Sequence, residues 1–325
     1  MGNRSTEPTN GIPCRETRNG LREYPNQAKQ GRVLLVRPEG QLGNRLVQAA
    51  TFQAAAWEAG FDLWNPALAE YAEHFPALAR DFFCRPGVSN GFPPARFRSL
   101  FCRLGKAFFS RAAFLDNNVL PWSVLDITES HDARDVDYQL LGDDFRAQIT
   151  SGNLLIPLGW KFRAPQALDT HRKRLREIFQ PTPQVAAVAR QLLEKARSRG
   201  EWVVGVHARR GDYATWLGGR YYFDWADYAR WIDQFPTLWP DRPVRILLCS
   251  NESSAPLRSL SPHEFLEGPE SPVAALYALA GCDALVGPPS TFTLWASFQG
   301  GAPLHMLEER SQRLHPASFT THPLA

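Results

Sequence analysis

The sequence has no long apolar run. Nothing in it approaches the roughly 20 uninterrupted apolar residues that a membrane-spanning helix needs, and no charged-then-apolar leader opens it. Cysteine is scarce. The five present (Cys14, Cys84, Cys102, Cys249 and Cys282) are odd in number and widely spread, with neither a CxxC pair nor a Cys/His spacing that suits a metal. That pattern argues against a disulfide-stapled scaffold and predicts reduced, mostly buried thiols in a cytoplasmic protein. Charge of one sign is not in excess either: 36 Lys+Arg against 33 Asp+Glu leave a formal +3, too little to imply a nucleic-acid partner or a membrane surface. Any anion site must therefore be local. Both common phosphate-binding fingerprints, GxGxxG and GxxxxGKS/T, are missing, as are repeats and low-complexity blocks.

What is present is ordinary globular material: 325 residues, 44% hydrophobic and 21% charged, enough for two domains. Residues 1–31 are rich in Asn, Arg, Pro, Thr and Glu, with too few apolar side chains to build a core, and read as a disordered tail. Their opening MGNRST fits the short N-myristoylation pattern, which is often met by chance. Order is expected from Arg32 to Arg37, a β-branched run bounded by Gly31 and Pro38. The turn PEGQLGN follows, then apolar residues at helical spacing (Leu46, Val47, Ala50, Ala54, Trp57) up to Gly60, then a second strand at 61–64. Strand, glycine turn, helix and strand make a βαβ unit.

Residues 70–135 show no clear period. Within them, the stretch 94–115 sets five basic residues among Phe and Leu, either a basic amphipathic element that touches a membrane or an anionic acceptor, or a half-buried helix whose arginines reach water. Strands are expected again at 123–127 and 153–156, then a helix in HRKRLREIF, then the breaker QPTPQ. The breaker divides a first domain, 32–180, from a second, 181–325. The second predicts helices near 185–197, 225–235, 274–280 and 291–298, alternating with a strand within EWVVGVHARRGDY and strands at 244–248, 284–286 and 303–307. Such alternation is that of a parallel α/β sheet.

Ligands of open α/β sheets lie beyond the carboxyl ends of the strands. Three loops occupy such places: Gly40-Gln41-Leu42-Gly43-Asn44-Arg45, His207-Ala208-Arg209-Arg210-Gly211-Asp212 and Gly287-Pro288-Pro289-Ser290-Thr291-Phe292. Glycines that admit a ligand to the backbone, guanidinium groups, and hydroxyls at a helix start suit a phosphate or pyrophosphate. Each has a plainer reading, a common turn for the first and helix capping for the last. The arginine pair is harder to explain plainly. In an extended chain its two side chains point to opposite faces, so one is expected to bind and the other to brace, by pairing with Asp212 or Asp224.

At His207-Ala208-Arg209-Arg210-Gly211-Asp212 the sequence resembles the fucosyltransferases that share an HxRRxD motif, most of all the bacterial α-1,2 group. The glycine motif of that group, GxLGNxxxQ, is similar to residues 40–48. Its STFSxW motif resembles Ser290-Thr291-Phe292-Thr293-Leu294-Trp295, and Ser250-Asn251-Glu252 falls where the family has a polar loop. The resemblance implies the GT-B fold, two Rossmann-like domains facing a cleft, the first of them on the acceptor side. It implies inverting transfer of fucose from GDP-fucose to the hydroxyl of a glycan or glycolipid, with no cofactor and no metal. It also implies site roles: a catalytic set of Arg209, Asp212 and Asn44, and a donor-contacting set of Gly43, His207, Arg210, Ser290, Thr291 and Phe292. Arg209 would hold the β-phosphate.

One departure bears on the base. Where the family carries an acidic residue that reads guanine, this sequence has Ala275, which leaves open a different nucleotide sugar or a non-catalytic binder; Glu270 or Asp283 could substitute, although Asp283 suits a strand brace better. The carboxylates nearest the motifs, as candidate bases, are Asp212, Asp224 and Glu39. Residues 216–223, WLGGRYYF, offer aromatic faces either to a sugar or to the core. An adhesion role for Arg210-Gly211-Asp212 would need an exposed loop, whereas the tripeptide abuts a buried strand.

Overall fold

The computed structural model describes residues 31–89, 122–127, 137–150, 152–322 and 324, with isolated positions at 15–16, 22–23, 97, 100 and 104. The expected disordered tail and the basic stretch 94–115 fall almost wholly outside them. Of the tail, only a short antiparallel pairing of Arg15–Glu16 with Arg22–Glu23 is described.

Two parallel sheets organise the chain. The first contains β1 (Arg32–Leu34), β2 (Asp62–Trp64), β3 (Trp122–Asp126) and β4 (Leu154–Leu158) in the order β2-β1-β4-β3. Parallel sheets are covered on both faces, so their strands are apolar throughout. Accordingly Val33 and Leu35 enter one core, while Leu34 and Val36 enter another with Ile156 and Leu158. Between β1 and β2 runs α1 (Leu42–Ala59), stopped by Gly60 in the left-handed conformation (φ 74°) that only glycine adopts freely. The helix expected in HRKRLREIF is α3 (Arg172–Ile178), which follows a separate short helix, α2 (Pro165–Thr170), with His171 between them.

The second sheet contains β5 (Trp202–Ala208), β6 (Val244–Ser250), β7 (Phe265–Glu267), β8 (Ala284–Gly287) and β9 (Leu304–Met306), in the order β7-β6-β5-β8-β9. Helices α4 (Pro183–Ala196), α5 (Trp225–Ile232), α6 (Ala255–Leu260), α7 (Pro272–Ala280) and α8 (Thr291–Gly300) connect and cover it. The strand order steps outward from β5 through β6 and β7, then reverses to β8 and β9. The reversal makes the crevice between β5 and β8 the topological switch point, where ligands of such sheets bind.

α8 joins the halves. Gly43 of α1 lies against its first turn so closely that a β-carbon there would meet Phe292 N at 2.7 Å and Thr291 Oγ1 at 2.8 Å. At its other end, Arg176 of α3 donates to Phe298 O at 2.5 Å. Between these points one apolar core runs through both halves, with Phe52 and Phe179 on one side and Leu276 and Trp295 on the other. Phe179 meets Trp295 edge-on at 5.0 Å. Among the described residues, no helix is long and apolar enough to cross a membrane.

Candidate functional site

The strand β5 delivers the arginine loop to the switch point. Its residues alternate faces: Val204, Val206 and Ala208 pack under α5, leaving His207 on the opposite face, where its ring stacks on Phe292 of α8 at 4.9 Å and 29°. His207 is 5% exposed, and its Nδ1 has no hydrogen-bond partner. Burial, and then the charge of Arg209, push its pKa down to about 3, so the imidazole is neutral at ordinary pH.

After Ala208 the two arginines part. Arg209 Nη2 donates to Gln41 Oε1 across the interdomain boundary at 3.0 Å and to Asp212 Oδ2 at 2.7 Å, with its guanidinium 5.6 Å from the ring of Tyr213. The side chain keeps 16% of its surface exposed at the crevice. Arg210 turns inward. Nε donates to Glu252 at 2.7 Å, Nη2 to the Tyr222 hydroxyl at 2.6 Å and Nη1 to Phe223 O, while the rings of Tyr222 and Trp225 lie 4.4 and 5.0 Å from its carbon. Each of its guanidinium nitrogens thus has a protein partner.

The bracing partner is Glu252, not Asp212 or Asp224. Strand register explains why: β5 and β6 pair in parallel with Ala208 opposite Ser250, so Asn251 and Glu252 emerge alongside Arg209 and Arg210. Asn251 Oδ1 accepts from Arg210 N at 2.8 Å, and Glu252 Oε1 accepts from Gly211 N at 2.9 Å. Hydrogen bonding from Arg210 holds the Glu252 carboxyl below its ordinary range. Gly211 has φ +56°, and a β-carbon there would meet Asn251 Nδ2 at 2.7 Å. These bracing roles of Asn251 and Glu252 were missing from the sequence reading, since pairing register is invisible in one strand alone.

The loop after β8 closes the other side. Ser290 caps α8, accepting from Phe292 N at 3.2 Å, and Tyr213 donates to Pro289 O at 2.7 Å, tying this loop to the arginine loop. Thr291 Oγ1 donates to Asn44 Oδ1 at 2.5 Å. Asn44 in turn fills the space beside Gly40, whose φ is +62°. The structure therefore brings Gly43, Asn44, His207, Arg209, Ser290, Thr291 and Phe292 to one crevice, with Asp212 paired to Arg209 and Arg210 buried behind it.

The other candidate carboxylates lie apart from Arg209's ion pair. Asp224 caps α5 in a capping box with Asp227 and is held by Arg310 Nη1 at 2.7 Å. Glu39 stands at the switch point of the first sheet, pairing with Arg37 at 2.7 Å and accepting from Gly159 N at 3.3 Å. Asp283 accepts from Val203 N and Arg197, a brace at the amino end of β5. Ala275 is buried in α7, and Glu270 is exposed one residue before the cap Ser271. Among the described residues, no group of three or more His, Cys, Asp or Glu side chains is placed to hold a metal ion.

The arrangement is that of an α/β protein whose two Rossmann-like halves meet at their carboxyl edges around a fixed cation, the GT-B architecture. The structure is similar in fold to that of an arginine-to-lysine variant of FUT1 from Arabidopsis thaliana in complex with GDP, with a TM-score of 0.55, 17% identity, and 90% of this chain and 74% of that chain covered. It is also similar to fucosyltransferase NodZ from Bradyrhizobium (TM-score 0.49, 18% identity, 86% and 96% covered) and to the apo-form of POFUT1 (TM-score 0.48, 10% identity, 87% and 99% covered). No family model and no curated protein matches the sequence.

Proposed function

We propose that the chain is an inverting glycosyltransferase that transfers fucose from GDP-fucose to the hydroxyl of a glycan or glycolipid acceptor. The observation that carries this reading is Arg209, a guanidinium fixed at the switch point, exposed to the crevice and reached from the other half by Gln41. The GDP complex of FUT1, a structure of the same fold, supports a nucleoside diphosphate as the ligand.

Chemically, the acceptor hydroxyl oxygen attacks the anomeric carbon from the side opposite the diphosphate and gives up its proton to solvent as the new C–O bond forms. The anomeric C–O bond breaks with its electron pair going to the β-phosphate oxygen, which gains negative charge as the bond lengthens. A preorganised cation there stabilises the transition state more than the ground state. Asp212 keeps Arg209 aimed. The amino end of α8, with its cap Ser290, presents positive dipole to the same anion. His207 and Phe292 form a flat wall against the nucleotide, and a neutral imidazole does so without competing for the phosphate charge. Thr291, Asn44 and Gly43 set the spacing of the acceptor-side half. Arg210 acts behind these groups, holding the loop. On this reading the domains divide at 180/181, the protein works in the cytoplasm, and the donor substrate needs no cofactor or metal partner.

Calorimetry with GDP tests the donor. Micromolar or tighter binding is expected, together with turnover of GDP-fucose and the loss of turnover, on the order of 100-fold or more, in Arg209→Ala with its fold intact. Absence of GDP binding would end this reading. A second reading, the same reaction with another base, is favoured by Ala275, which has no carboxylate to offer guanine. It is established instead if UDP, ADP or CMP raises the melting temperature and GDP does not.

A further inference from the structure

Beyond Arg209, the chain runs into an exposed aromatic shelf that nothing in the proposed donor chemistry uses. Trp216 is 42% exposed, and its ring lies 4.7 Å from that of Tyr213 at 38° and 5.8 Å from that of Tyr221 at 36°. Trp216 is thus tilted by nearly the same moderate angle from each of its two tyrosine neighbours. Tyr213 is fixed underneath by its bond to Pro289 O and lies beneath the Arg209 guanidinium, so the shelf is anchored to both donor-side loops.

The residue after Trp216 is strained. Leu217 has φ 48° and ψ 39°, in the left-handed region that costs a non-glycine residue about 1 kcal/mol or more, and it is 61% exposed. Gly218 and Gly219 follow, also at positive φ. An apolar side chain held in a strained turn and left in water contributes nothing to folding, whereas contact with a ligand gives the conformation a use.

We infer that Trp216, with Leu217 beside it, is the platform on which a pyranose ring of the acceptor stacks while its hydroxyl faces the donor at Arg209. This rests on the reading of the Arg209 crevice as the donor site. The apolar C–H face of a pyranose matches an exposed indole in size and polarity. Arg220, 5.1 Å from the Tyr221 ring, adds donors for sugar hydroxyls at the rim.

The test is a printed array of neutral oligosaccharides probed with the GDP-saturated protein, with GDP affinity measured separately by calorimetry. Trp216→Ala is expected to weaken glycan retention on the order of tenfold or more and to leave GDP affinity and melting temperature unchanged, while Trp216→Phe keeps most of the retention. Several results would overturn the inference: retention unaffected in Trp216→Ala, no glycan retained by the wild type, or GDP affinity falling in step with glycan binding. Self-association of the wild type that Trp216→Ala abolishes would overturn it too, since the shelf would then be a dimer contact. Glycan retention without any GDP binding would sustain the platform and defeat the donor reading instead.

Discussion

The carboxyl edges of the two sheets are built differently. Beyond β1 and β4 the edge is a short chain of polar contacts, Arg37 to Glu39 to Gly159, plus Gln48 donating to Gly159 O at 2.9 Å. Beyond β5 and β6 it is a dense brace: Arg210, Asn251, Glu252, Tyr222 and the Phe223 carbonyl all meet behind a single solvent-facing arginine. A charge that must act on a leaving diphosphate has to be held still, because its value lies in needing no reorganisation as the reaction proceeds. On the proposed function, the second edge holds that charge and the first approaches it.

The sharpest way to break that contrast is to remove each arginine in turn. Arg209→Ala removes the acting cation and leaves the brace, so turnover of GDP-fucose falls on the order of 100-fold or more while the melting temperature stays near that of the wild type. Arg210→Ala removes the brace. It strands Glu252 beside a loop and leaves Phe223 O without its donor, a loss of about 3 kcal/mol of stability, read from urea unfolding. If Arg210→Ala were as stable as the wild type yet inactive, Arg210 would be a substrate contact and the division of labour would fall.

How much of this the sequence carries depends on whether the determining contact is local. The apolar run Val203 to Val206 followed by charge is local, and so is the helix start at Ser290, which indeed caps α8. The partner of Arg210 is not local. Asp212 and Asp224 are nearer in sequence, but Ala208 pairs with Ser250, and that register brings Glu252, 42 residues away, to Arg210 Nε. The edge strand β7 is equally hard to read, since FLE is too short to show alternation and is identified only by its pairing with Ile246 to Leu248. The helix expected at 225–235 ends at Ile232, with a separate turn at Phe235–Leu238 whose first positions hold Pro236. Of the GT-B expectation, the parallel sheets were legible as alternating segments, whereas the locking of both halves on α8 depends on Gly43 meeting Thr291 and Phe292, a contact between residues almost 250 positions apart.

Gly43 offers a second way to set the two edges against each other. A methyl group there must displace backbone at 2.7 and 2.9 Å, which the first turn of α8 cannot yield without separating from α1. Overpacking of that kind costs about 2 kcal/mol, partly offset by alanine's better helix propensity. Gly43→Ala is expected to lower the melting temperature and to reduce turnover on the order of tenfold, with GDP affinity nearly unchanged because Arg209 and Ser290 belong to the other half. A parallel loss of GDP affinity would show that the glycine turn touches the donor itself.

His207 gives the smallest effect and the cleanest sign. Burial, then Arg209, lower its pKa from the usual 6.5 to about 3 in the folded protein, so between those values the unfolded chain binds a proton that the folded chain refuses. Stability from this group is therefore complete above about pH 6.5 and is lost progressively as pH falls toward about pH 3. Between about pH 7 and about pH 5.5 the loss is about 1 kcal/mol. His207→Gln keeps a polar group of similar reach without a titrating ring, so its urea unfolding free energy should fall less steeply over that interval than the wild type's. Equal slopes would mean that the imidazole takes up its proton at the same pH in the folded and unfolded chain, and that burial against Phe292 does not exclude the charge.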